Sequence, residues 1–348
     1  MFRYCFLVVF SVLSAQAADV VPLTFRGENI EAGTKKRMIL HCLEDFTDPI
    51  FSIPALIVHG SNPGPRLAVT AGVHGDELNG MEIARRLYEG TDPKKLAGSL
   101  VILPVINYQG FLNGSRYLTD RRDLNRHFPG DPKGSMASIL ADEVFQSSIV
   151  GSDALIDLHC ASNRRVNLPQ IRVDYDNEKA VQMACHFGVG VVVHGAGPEG
   201  SLRRDASDIG IPSIIYETGS PHRFEENEIT LGLLGLENVM RQMGMLAPNG
   251  KEVPASEVFS LTQWVRAPRT AGGNFLPKIN LGAQVTEGQL LGHIIDPVSG
   301  VKNEILAPEA GRVIGMSIPT IIFPGEALFH LGLSSTQGMS HPPQGPGE

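Results

Sequence analysis

The chain has 348 residues, 42% of them hydrophobic and 19% charged, which suits two domains of roughly 100–200 residues each. Its 38 Gly and 24 Pro make it turn-rich, but they stay below the roughly 25–30% that marks low-complexity or disordered chains. With 29 Lys+Arg against 37 Asp+Glu and a net charge of −8, no basic field gathers phosphates, and nucleic acid is not an expected partner.

Residues 1–17 read as a secretory signal peptide: a positive start at Arg3, an apolar run from Cys5 to Leu13, and the small-x-small pattern Ala15-Gln16-Ala17. The competing reading is a buried N-terminal strand; the run is too short for a membrane-spanning helix of about 20 residues. The expected mature protein is soluble and exported, periplasmic or secreted, without a membrane anchor. It keeps Cys42, Cys160 and Cys185, an odd number that leaves at least one thiol free.

From residue 20 to about residue 245, apolar runs alternate with amphipathic stretches. Arg66–Gly72 is short, apolar and turn-bounded like a buried strand. The helix after it carries Met81, Ala84, Leu87 and Tyr88 on one face, with Gly90 placed to end it. Leu100–Val105 reads as a strand, Met136–Val150 as a helix and Ala154–Leu158 as a third buried strand. Helix–strand pairs follow at 178–187 with 190–193 and at 201–209 with 212–216, and residues 225–243 form a long closing helix. This alternation predicts an α/β fold: a mostly parallel sheet covered on both faces, with chemistry at the carboxyl ends of its strands.

The expected catalytic domain spans residues 18–248. Beyond it the texture changes to short β-like runs with Gly and Pro, predicting an all-β domain over residues 249–333. Within that domain Gly282–Gln289 and Ile305–Gly311 resemble the two halves of a biotinyl/lipoyl-like barrel. Lys302 is off register for the attachment lysine of such carriers, which argues against a swinging-arm role. The Gly/Pro/Ser-rich run 334–348 is expected to be disordered.

The chemistry concentrates at predicted strand ends. In Gly72-Val73-His74-Gly75-Asp76-Glu77 an imidazole and a carboxylate stand three residues apart at a strand-to-helix junction. His159, at the end of Asp157-Leu158-His159, is positioned as a third ligand. Two His and one Glu form a known catalytic set for zinc, with one coordination position left open. Asn125 and Arg126, in Arg122-Asp123-Leu124-Asn125-Arg126, suit a substrate carboxylate, combining an amide donor with a guanidinium fork. Glu217 ends the apolar run Ile214-Ile215-Tyr216, where a carboxylate is costly unless paired, metal-bound or used as a base.

Taken together, these four motifs resemble the succinylglutamate desuccinylase/aspartoacylase family, which shares its fold with the zinc carboxypeptidases. The resemblance extends from about residue 33 to residue 332. It implies one zinc ion per chain, held by His74, Glu77 and His159, with Glu217 as general base and then acid. It further implies that Asn125 and Arg126 grip the substrate carboxylate and that an upstream arginine polarises the scissile carbonyl. Arg116 is the matching candidate for that role, with Arg121 and Arg122 close by in sequence. The segment 163–172 looks like the bacterial small-deacylase branch, in which Arg165 or Arg172 contacts substrate or serves structure. His59, His127, His186, His194 and His222 are taken as loop or core residues, and Cys160 as packed rather than metal-bound. The implied activity is hydrolysis of the amide bond of an N-acyl amino acid or a related small carboxylate-bearing amide. The alternatives are an exported zinc carboxypeptidase or amidase acting on peptides such as cell-wall peptides, and an inactive binding protein. Oligomeric state, a homo-oligomer included, is left open.

Overall fold

A computed structural model describes residues 20–44, 49–162 and 164–333. The expected signal peptide and C-terminal tail lie outside the described residues. The strand Asn62–Ala71 follows the period-two rule: Leu67, Val69 and Ala71 enter one hydrophobic core while Ala68 enters the other. Ala154–His159 does the same with Ile156 and Leu158 against Leu155. A sheet apolar on both faces needs a helical layer on each. Leu78–Gly90, Glu178–Phe187 and Glu226–Gln242 cover one face through Ile83, Leu87, Phe187 and Leu236; Met136–Val144 and Leu202–Asp208 cover the other through Leu140 and Leu202.

The sheet runs in the order Thr34–Glu44, Pro49–His59, Ala97–Leu103, Asn62–Ala71, Ala154–His159, Ser213–Gly219, Arg165–Val173. Ala97–Leu103, Asn62–Ala71, Ala154–His159 and Ser213–Gly219 are mutually parallel, so their carboxyl ends open on one edge. The long N-terminal hairpin, Thr34–Glu44 with Pro49–His59, is antiparallel and makes the sheet mixed. The helix expected over 136–150 is α-helical only to Val144. Phe145–Ile149 forms a π turn closed by Val150 N–H on Phe145 O at 3.0 Å.

One strand carried no clear sequence signal. Arg165–Val173 is interrupted by Pro169, and its Arg165, Asn167 and Arg172 line the site cavity. It pairs antiparallel with Ser213–Gly219, and the register shifts across Leu168–Pro169, where a residue without an N–H is tolerated. This strand also joins the two parts of the chain: Gln170–Val173 pair with Val191–His194, and Arg165–Asn167 pair with Gly315–Ser317. The C-terminal strands Gly311–Ser317, Ala327–Leu333 and Thr262–Arg266 thereby extend the same sheet. A second sheet, of Lys302–Leu306, Leu290–Ile295, Gly273–Pro277 and Ile321–Ile322, packs a further core around Phe275, Leu291, Phe329 and Leu331. No described helix is long and apolar enough to cross a membrane.

Candidate active site

The strand Asn62–Ala71 leaves the sheet through Gly72, whose φ of +63° a side-chain-bearing residue would rarely adopt. Gly75 passes close to another backbone: a Cβ there would lie 2.0 Å from the carbonyl carbon of Gly110. These two glycines turn His74 inward and bring Glu77 to the start of the helix Leu78–Gly90. Both side chains are buried, as is His159 at the end of its strand.

The two imidazoles meet the one carboxylate. His74 Nδ1 lies 2.7 Å from Glu77 Oε1 and His159 Nδ1 lies 2.8 Å from Glu77 Oε2. The far nitrogen of each ring is held by an aspartate: His159 Nε2 by Asp157 at 2.7 Å, His74 Nε2 by Asp123 at 3.2 Å. Asp157 is itself fixed by the Thr70 hydroxyl at 2.7 Å. Three donor atoms, one from each of His74, Glu77 and His159, lie within 4.8 Å of one another. Two nitrogens and a carboxylate oxygen, with both rings oriented by carboxylates from behind, fit the donor chemistry of a borderline divalent ion such as zinc. Burial works against the Glu77 charge, but the two imidazoles hold its carboxyl well below the usual range. Asp123 is likewise held low against its burial, by His74 and Arg116.

Glu217 is the register neighbour of His159 across the parallel pair, which sets it beside the ligand set. Asn167 Nδ2 donates to its Oε2 at 2.9 Å, and Arg172 Nε lies 3.3 Å from its Oε1, an ion pair without hydrogen-bond alignment. Arg116 donates to Asp123 Oδ2 through Nη2 at 2.8 Å and brings Nη1 to 3.2 Å from His74 Nδ1. Arg122 instead pairs with Asp120, and neither it nor Arg121 lines the cavity. Asn125 accepts the Leu202 N–H through Oδ1, leaving its Nδ2 as the donor for the cavity, and Arg126 makes no ion pair among the described residues.

Every sequence-predicted site residue, namely His74, Glu77, Arg116, Asn125, Arg126, His159, Arg165, Arg172 and Glu217, lines one cavity of about 250 Å³. Cys160 also lines it; its thiol is buried, its N–H donates to Glu77 Oε2 at 3.1 Å, and Cys42, Cys160 and Cys185 are all unpaired. His59 is a core residue bonded to Ser99 Oγ and the Val21 carbonyl. Of the lining residues not singled out from sequence, three bear on the chemistry. Asn167 orients Glu217; Arg203 is buried with Nε and Nη1 unpartnered; Trp264 arrives from the C-terminal strands. Arg203 sits in an ordinary amphipathic helix, and Trp264 has no local motif, so neither had a signal that short-range pattern could carry.

The model of the succinylglutamate desuccinylase/aspartoacylase catalytic domain matches residues 63–243, just over half of the chain. The chain belongs to this family. An N-alpha-acetyl-L-2,4-diaminobutyric acid deacetylase of Halomonas elongata is 25% identical over 291 residues, covering 79% of this chain and 84% of its own. Among solved structures, a succinylglutamate desuccinylase/aspartoacylase from Rhodobacter sphaeroides matches with a TM-score of 0.77 at 24% identity, covering 87% of this chain and 96% of its own. The product-bound ectoine utilization protein EutE (DoeB) from Ruegeria pomeroyi also gives 0.77 at 24% identity, over 86% and 95%. Both span the C-terminal strands as well as the catalytic part, so the two-part architecture is common to these family members.

Proposed function

We propose that this chain is a zinc-dependent deacylase that hydrolyses the amide bond of an N-acyl amino acid or a close carboxylate-bearing relative. One observation carries the reading: a buried His74–Glu77–His159 donor set and a strand-end Glu217 share a small cavity with two arginines, Arg126 and Arg165, that have no carboxylate partner among the described residues. The family and the Halomonas deacetylase support an amide hydrolase.

His74, Glu77 and His159 would hold the ion, which when bound supplies Lewis-acid activation of a water and of a carbonyl oxygen. Glu217, oriented by Asn167 and Arg172, accepts the proton of the attacking water. As the water oxygen bonds to the acyl carbon, the Arg116 guanidinium, anchored on Asp123, donates to the oxygen that gains charge. Glu217 then returns its proton to the amine nitrogen as the C–N bond breaks, giving a carboxylate and a free amino acid. The Asn125 amide and the Arg126 guanidinium hold the amino-acid carboxylate.

A cavity of about 250 Å³ walled by Trp264 supports a small substrate over a peptide. Export through residues 1–17 belongs to the same proposal and is tested by sequencing the N-terminus of the mature protein. The activity is tested on purified protein with N-acetyl and N-succinyl amino acids against tripeptides, alongside metal analysis. One zinc per chain and faster turnover of the N-acyl amino acids are expected; faster tripeptide cleavage, or an active protein without zinc, would overturn the reading.

A further inference from the structure

Trp264 is the single tryptophan of the chain and the one cavity-lining residue that comes from the C-terminal strands. It stands in a three-layer stack. The His330 ring lies parallel to the indole, 3° from coplanar with centroids 4.1 Å apart, and the Arg165 guanidinium carbon sits 5.2 Å from the indole centroid. His330 is buried, and burial with the nearby Arg172 and Arg165 pushes its pKa down to about 3, so a neutral ring backs the indole. Arg165 donates through Nε to the Ser162 carbonyl at 3.1 Å, and its Nη groups make no hydrogen bond or ion pair among the described residues. That head lines the same cavity as the metal-ligand set and Glu217.

A free arginine carries about 2 kcal/mol of side-chain rotamer entropy, much of it lost when the head engages a ligand. Stacking on an indole face restricts the head before substrate arrives, and an aromatic face under a guanidinium also attracts it electrostatically. We propose that Trp264 is a positioning residue, fixing the Arg165 guanidinium over the cavity so that its Nη groups meet a carboxylate of the bound amide. The C-terminal strands thereby contribute to substrate affinity through one side chain that lines the cavity. This rests on the deacylase reading above only for the identity of the reaction; the geometry of the stack stands apart from it.

The test compares Trp264→Phe and Trp264→Leu on the N-acyl amino acid that the wild-type enzyme hydrolyses fastest. Loss of a partly desolvated cation–π contact should raise KM about 3- to 30-fold in the Leu variant. The value of kcat should hold within about threefold, and the Phe variant should restore most of the affinity. A wild-type KM in the Leu variant, a loss confined to kcat, or a Phe variant as impaired as Leu would overturn the proposal. Because the chain has one tryptophan, its emission is a second readout that needs no turnover and no Trp264 variant. Succinate, used as a carboxylate probe, should shift wild-type emission, and Arg165→Gln should need at least about tenfold more succinate for the same shift. Equal titrations in the two proteins would refute the proposal even if Trp264→Leu failed to fold. If no amide in the panel were turned over, the deacylase reading would fall while the fluorescence comparison still decided whether the Arg165 head beside Trp264 meets a carboxylate.

Discussion

Asp157→Asn isolates how much of the metal affinity comes from behind the ligands. Asp157 is fully buried and accepts from His159 Nε2 and the Thr70 hydroxyl, both at 2.7 Å. Asparagine has the same shape: its Oδ1 keeps the bond to His159, and its Nδ2 finds an acceptor in the Thr70 oxygen. The fold should tolerate the change, while the negative charge that raises the basicity of the His159 ring is lost. Substitution of such supporting groups costs about 10- to 100-fold in metal affinity, or about 1.4–2.7 kcal/mol. At saturating zinc, a 30-fold weaker site removes about 2 kcal/mol of binding-linked stability. With an unfolding entropy near 2 cal/mol/K per residue, that lowers the melting temperature of the zinc-loaded protein by about 3 °C. Chelator competition gives the zinc Kd, and melts with and without zinc give the linked stability. A Kd within twofold of wild type, or an equal fall in the melting temperature of the zinc-free protein, would refute the claim that Asp157 acts through His159 on the metal.

Gly75→Ala should both destabilise the protein and weaken zinc binding, because its Cβ would sit 2.0 Å from backbone at Gly110 and His74 is the adjacent residue. Overpacking of this kind costs about 1–3 kcal/mol, readable from the urea midpoint, and a neutral result would contradict the close approach. Arg126→Ala removes a charge-assisted contact worth about 1.5–3 kcal/mol; KM should rise about 10- to 100-fold with kcat little changed, and an unchanged KM would remove Arg126 from the substrate site. His330 gives a pH signature. Its folded-state pKa, about 3, lies below the ordinary 6.5, so the unfolded chain binds more protons between those values and stability falls as pH drops through that window. Between pH 7 and 4.5 the loss is at most about 2–3 kcal/mol by this linkage. His330→Phe keeps the ring on Trp264 and should show a shallower decline in urea midpoint; an equally steep one would rule out His330 as the titrating group.

The alternation of buried strands and amphipathic helices was legible because each element obeys a local period; the motifs at 74–77, 157–159 and 217 were legible because each lies at or just past a strand end, and 123–126 because an acid, an amide and a guanidinium stand together in one short turn. The metal-ligand candidates His74, Glu77 and His159 converge as expected. What stayed hidden depends on long-range pairing. Arg165–Val173 looks like a loop because Pro169 breaks its alternation, yet it is the strand that joins the catalytic part to the C-terminal strands. Arg116 was already the candidate ahead of Arg121 and Arg122; what the sequence did not show is that Asp123 bridges Arg116 and His74. Asp157 was visible only as part of a motif until Thr70 and His159 were found on its two oxygens. Trp264 reaches the cavity only because the sheet continues from Asn167 into Gly315.

The most direct measurement on the proposed chemistry is Glu217→Gln. Glutamine keeps the size and the hydrogen bond to Asn167 but cannot accept the proton of the attacking water. Zinc content should remain at one per chain, and turnover of the preferred N-acyl amino acid should fall by about 10²–10⁴, the usual contribution of a general base. Near-normal turnover with zinc in place would contradict the mechanism at its centre.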